Sequence, residues 1–89
     1  MTDDAELQQI RRAIDAVDLA LLKLCQTRAR LVQTAWERKD LLGLVHLDAP
    51  REQAIIAALL AQNQNSGLDD AVVQKVFAAL IGHPLETKR

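Results

Sequence analysis

The chain has 89 residues, which allows one domain over residues 1–89, near the lower range at which a single core is enough. Hydrophobic residues make up 49 %, yet Trp36 and Phe77 are the only aromatics, so the core is Leu, Ile, Val and Ala and suits helix-on-helix packing better than a sheet. A net charge of −1 with signs mixed throughout favours neither nucleic acid nor an anionic membrane as partner.

The start, Met1-Thr2-Asp3-Asp4-Ala5-Glu6, is acidic and does not read as a signal peptide. No apolar run approaches the ~20 residues of a membrane span, and the expected setting is cytoplasmic. From Glu6 to Asp40 there is no Gly or Pro, and Ala, Leu, Arg, Gln and Lys dominate, the residues that lose least on entering a helix. Apolar residues recur at Leu7, Ile10, Ile14, Val17, Leu21, Leu24, Leu31 and Ala35, an a/d heptad seam with one gap. Arg28 fills the gap. Cys25, the single cysteine, lies in the same helix and reads as a small core hydrophobe.

Such a helix of ~35 residues is a rod on the order of 50 Å long. A compact globule of this chain length has a radius of gyration of roughly 12 Å, so the rod overhangs it and leaves its seam in water. A second copy is the simplest cover, and the expected state is an obligate helical dimer.

Gly43 ends the first helix, and Leu44 to Leu47 form a loop. Asp48 reads as the N-cap of a second helix, with Pro50 in its first turn where a missing N–H is harmless. That helix is expected to reach about Asn65, with Ile55, Ile56, Leu59 and Leu60 inward and Ala54, Ala57, Ala58 and Ala61 permitting close approach. Asn63 to Gly67 is a polar stop, with Gly67 suited to the left-handed position after the helix. Asp69 caps a third helix, and Leu68 with Val73 has the spacing of a hydrophobic staple. The third helix carries Val72, Val73, Val76, Phe77, Leu80 and Ile81, and breaks at Gly82-His83-Pro84. The fold class is all-α, one long helix and two shorter ones.

Arg28, Val32, Ala35 and Lys39 share one stripe of the first helix, with the two cations roughly 16 Å apart along the axis. Long side chains leaning towards each other would bracket a small anion lying on Val32 and Ala35, where low dielectric strengthens each contact. Arg11 is about 25 Å from Arg28 and reaches the same ligand only from a second copy in an antiparallel or crossed dimer. Asp48, Arg51 and Glu52 cluster at the start of the second helix, both carboxylates facing one point. Cations beside carboxylates suit a ligand with anionic groups and a hydroxyl. Each residue also has a plainer role: Asp48 as a cap, Glu52 as a helix-dipole complement, Lys39 as a C-terminal cation, Arg51 as a solvated charge, and Arg28 snorkelling out of the seam. His46 and His83 are isolated, with no partner at metal-ligand spacing, and Ser66 in a turn leaves no serine triad. A cation-lined pocket without a nucleophile suits a reaction that needs only shape and electrostatics.

The run Leu7-Gln8-Gln9-Ile10-Arg11-Arg12-Ala13-Ile14-Asp15-Ala16-Val17-Asp18, then Leu21-Leu22-Lys23-Leu24, resembles the opening of the AroQ-type (all-helical, class II) chorismate mutases. Thr27-Arg28-Ala29-Arg30-Leu31-Val32, Arg38-Lys39 and Asp48-Ala49-Pro50-Arg51-Glu52 continue the likeness in order, over nearly the whole chain to Ile81. The resemblance implies an intertwined homodimer with active sites shared between chains, and a Claisen rearrangement of chorismate to prephenate in Phe and Tyr biosynthesis. It implies Arg28 and the partner's Arg11 on the two substrate carboxylates, and Lys39 on a carboxylate and the ether oxygen. Glu52 and Asp48 would take the ring hydroxyl, supported by Arg51; no cofactor or metal is implied. Alternatives on the same scaffold are an isochorismate pyruvate lyase, an aminodeoxychorismate mutase, or a silent dimer that binds a ligand for regulation.

Three positions depart from the family pattern. Pro84 and Lys88 stand where family members usually carry a small polar residue and, one turn on, a Gln or Glu that bonds the ether oxygen. Pro84 is expected to kink or fray the last turn, and Lys88 either donates to the ether oxygen or belongs to a disordered tail. Trp36 replaces a usually smaller residue near Lys39 and is expected to reshape the pocket.

Overall fold

A computed structural model describes residues 4–84 as three helices: α1 (Ala5–Leu42), α2 (Ala49–Gln62) and α3 (Asp70–Leu80). Each starts on an aspartate whose carboxylate accepts a backbone N–H of the first turn: Asp4 from Glu6, Asp48 from Arg51 and Asp69 from Ala71. These contacts satisfy donors that a helix start would otherwise leave open.

α1 ends where its sequence turns to glycine. Gly43 takes φ 72°, its N–H donates to the Asp40 carbonyl, and the Leu44 N–H donates to the Lys39 carbonyl at 2.8 Å. This is a Schellman motif, and it reverses the chain sharply enough to lay residues 44–47 back beside the last turn of α1.

α2 stops at Gln62 rather than near Asn65. The cause is a side-chain network centred on Asn63. Its amide donates to the Leu68 carbonyl at 2.8 Å and the Asp70 carboxylate at 2.9 Å, while the Ser66 hydroxyl donates to its Oδ1 at 2.6 Å. Short polar side chains that bond nearby backbone compete with helix continuation. Two residues in this turn, Asn65 (φ 65°) and Gly67 (φ 86°), adopt left-handed backbone. Gly67 therefore closes the α2–α3 turn and is not the residue directly after the helix.

α3 also stops one residue early. Ile81 is already extended (φ −66°, ψ 130°), and Gly82 follows at φ 75°. The helix is over before Pro84 could kink it. Lys88 lies outside the described residues.

α2 packs on α3, and Val73 at 7 % exposure is the one buried residue among those described. Ile55, Ile56, Leu59, Leu60, Phe77, Leu80 and Ile81 are half-buried around it, whereas Leu68, placed for a staple on Val73, stays exposed. Cys25 is half-buried rather than core. The a/d seam of α1 is open to solvent: Ile10, Ile14, Val17, Leu21, Leu24 and Leu31 are 51–65 % exposed.

Overall dimensions explain this exposure. The Cα trace extends 62 × 36 × 14 Å, with a radius of gyration of 17.4 Å against roughly 12 Å for a compact chain of this length. Domains bury their apolar faces between packed layers, and among the described residues α2 and α3 pack on each other while the seam of α1 has nothing over it. No helix among the described residues is long and apolar enough to cross a membrane.

The Schellman turn makes a clean test of local strain. A Cβ added at Gly43 meets nothing within 4 Å, so Gly43→Ala incurs only the left-handed backbone penalty. We expect a loss of about 1–2 kcal/mol in urea denaturation at fixed protein concentration.

Candidate active site

The back-folded loop and the start of α2 face the C-terminal half of α1 across a cavity of about 280 Å³. From α1 come Arg28, Val32, Ala35, Trp36 and Lys39, so the predicted stripe lines it as a unit. His46, Leu47 and Asp48 enter from the loop, Arg51, Glu52 and Ile55 from α2, and Ile81 and Gly82 from the end of α3. Five of the six expected site residues (Arg28, Lys39, Asp48, Arg51 and Glu52) therefore meet in one place. Arg11 does not join them and stands exposed in the N-terminal half of α1.

Gly82 is what lets the third helix close this cavity. A Cβ there would sit 3.2 Å from Leu47 Cδ2, on a backbone that side-chain-bearing residues rarely adopt.

The two α1 cations are held in the same way. Arg28 Nη1 donates to the Leu80 carbonyl at 2.6 Å, and Lys39 Nζ donates to the His46 carbonyl at 2.6 Å. Leu80 ends α3, where carbonyls lack helical partners and the dipole favours a cation. A neutral carbonyl fixes one N–H without cancelling the charge. Lysine has three donors and arginine five, so most remain for a ligand. Both side chains are half-buried, and neither is ion-paired with a carboxylate among the described residues. Partly desolvated, unneutralised cations over Val32, Ala35 and Ile55 bind anions more strongly than the same groups in water.

At the other wall, Asp48 Oδ1 accepts the Arg51 N–H at 3.1 Å, so the capping role is real and occupies one oxygen of the carboxylate. Glu52, half-buried, faces the same cavity. A second hollow between α2 and α3 is larger, about 530 Å³, but Glu52 is the one charged residue in its lining. Chemistry, not size, makes the first the candidate site.

Two contributors went unforeseen as structural partners. The His46 ring stacks on Trp36 with centroids 4.5 Å apart and planes at 15°, and its Nε2 lies 2.5 Å from Asp40 Oδ1. The signal in the sequence was the bracket Trp36, Asp40, Gly43 and His46, legible only once Gly43 is read as a reversal of the chain.

All three helices contribute to one small candidate pocket in which Arg28 and Lys39 rest on carbonyls while Asp48 and Glu52 stand across from them. The chain belongs to the chorismate mutase type II family, whose profile matches residues 10–88. It is 32 % identical over 78 residues to the chorismate mutase of Methanocaldococcus jannaschii, covering 88 % of this chain and 79 % of that protein. Its fold is similar to the solved structure of chorismate mutase (form I) from Thermus thermophilus. There the TM-score is 0.79 at 33 % identity, over 84 % of this chain and 92 % of the other.

The two roles of Asp48 separate by substitution. Asp48→Ala removes the cap and should lower stability by about 1 kcal/mol, whereas Asp48→Asn keeps a capping oxygen and should leave the thermal midpoint nearly unchanged. Any activity lost in Asp48→Asn alone then reports contact with the ligand.

Proposed function

We propose that this chain, acting as one domain over residues 1–89, isomerises chorismate to prephenate in the Arg28–Lys39 pocket. It does so as a homodimer in which each pocket is completed by Arg11 of the other copy. The observation that carries the reading is the convergence of Arg28, Lys39, Asp48, Arg51 and Glu52 on one cavity, where neither α1 cation pairs with a carboxylate among the described residues.

The reaction is intramolecular and pericyclic, so no nucleophile, metal or cofactor enters it. Catalysis consists of holding the folded diaxial conformer and stabilising negative charge on the ether oxygen as its bond to carbon breaks. Arg28 and the second copy's Arg11 bind the two carboxylates. Lys39 uses one N–H on His46 and directs the others to a carboxylate and the ether oxygen. Glu52 accepts the single proton of the ring hydroxyl, the second oxygen of Asp48 stands beside it as an alternative acceptor, and Arg51 supports both.

The dimer rests on the open seam of α1 and on the extended shape of one chain, 62 Å long with a radius of gyration of 17.4 Å. Arg11 in its own chain lies seventeen residues before Arg28, about 25 Å along a continuous helix. A second α1 crossing the first would bury the seam and bring its Arg11 to the pocket.

Lys39→Ala should lower kcat/KM for chorismate by about 10²–10³-fold while far-UV circular dichroism stays unchanged. An unchanged rate would remove Lys39 from the mechanism. Site sharing has its own assay. Arg11→Ala and Lys39→Ala proteins, each inactive, are unfolded together and refolded as a mixture. Half the dimers are then hybrids with one intact pocket, and about one quarter of wild-type activity should return. If each pocket used its own chain's Arg11, no intact pocket would form and nothing would return.

A further inference from the structure

The geometry points to His46 as a positioning residue for Lys39, held by a clamp of Trp36 and Asp40 across the turn at Gly43. This rests on the reading of Lys39 given above.

The His46 carbonyl is the acceptor that fixes Lys39 Nζ, at 2.6 Å. A lysine ammonium on four methylenes carries about 2 kcal/mol of rotamer entropy, and without an anchor it samples many positions. The anchor belongs to a loop of four residues with no regular structure and few buried side chains: Leu44, Val45 and Leu47 are all exposed. Left to itself, such a segment would give a poorly placed carbonyl. Two side-chain contacts from α1 tie it down at His46. The imidazole lies flat on the Trp36 indole, and its Nε2 meets the Asp40 carboxylate.

Trp36, Lys39 and Asp40 stand at i, i+3 and i+4 of α1, neighbours on one side of a continuous helix. Trp36 and Asp40 are one turn apart and grip the ring of His46, while Lys39 donates to its carbonyl. Helix, ring and ammonium thus form one closed unit, in which the side chain of His46 sets where its own carbonyl points. The Schellman turn at Gly43 supplies the reversal that makes the closure possible. The unit also explains a bulky indole beside a small cavity: it is the platform that orders the loop.

The test uses Trp36 as its own reporter, since it is the one tryptophan in the chain. His46→Ala should change the intensity and maximum of Trp36 emission, lower kcat by about 10-fold and leave KM for chorismate within about twofold. Asp40→Ala should lower kcat similarly. The double variant should be no worse than either single one, because the two act through one clamp. Trp36→Phe keeps a stacking face and should retain kcat within about threefold, whereas Trp36→Ala should match His46→Ala. Unaltered emission and kcat in His46→Ala would overturn the proposal. So would independent, multiplying losses in the double variant, or a rate loss that merely tracks a fall in thermal midpoint across the series. Wild-type protein silent towards chorismate would instead sink the reading of the site, and the emission difference between wild type and His46→Ala would still decide whether the clamp exists.

Discussion

The length of α1 is the constraint on which the rest of the structure depends. A helix of 38 residues is about 57 Å long, and the two shorter helices have 14 and 11 residues with which to cover it. They cannot reach its N-terminal half. The start of α2 and the end of α3 come back to its C-terminal half, and there they line the pocket. α1 therefore meets its own chain around Arg28 to Lys39 while its apolar seam from Ile10 to Leu31 stays open to solvent.

Within the enclosed half, polar anchoring leaves the charges in place. Arg28 interrupts the seam, which would be a burial problem for an isolated guanidinium. Its bond to the carbonyl at the end of α3 resolves the problem and leaves the charge intact. Lys39 follows the same logic at the loop. Had carboxylates been the anchors, each cation would have been neutralised before any ligand arrived. Using helix-end and loop carbonyls satisfies hydrogen bonds while keeping a positive field in the cavity. The acidic groups, Asp48 and Glu52, sit across the cavity instead, beside the N-terminus of α2 that stabilises them.

Turns matter here as much as helices. Gly43, Asn63 and Gly82 each stop an element and send the chain in a direction the site needs. Gly43 brings His46 to Trp36 and Lys39, Asn63 binds the start of α3 through Asp70, and Gly82 admits Leu47 where a Cβ would crowd its side chain. Pro84, which draws the eye in the sequence, comes after α3 has already ended and shapes little of the described pocket wall.

Much of this was legible from the residues alone. Helix-forming composition, the aspartate caps Asp48 and Asp69 and the glycines located all three helices to within three residues, because caps and left-handed positions are local chemistry. The stripe of Arg28, Val32, Ala35 and Lys39 was legible because a helix turns 3.6 residues per revolution whatever surrounds it. Tertiary structure decided what depends on distance between elements: that both cations rest on carbonyls from other parts of the chain, that Asn63 outcompetes the last turn of α2, and that His46 is not isolated. The two cation anchors join residues 7 and 52 positions apart, and no periodicity encodes them. The seam lies on the sequence's side of that boundary: the pattern announces an apolar face, and the length of the helix says that one chain cannot cover it. The folded chain leaves it 51–65 % exposed from Ile10 to Leu31, whereas which residues meet across the pocket was decided by the fold alone.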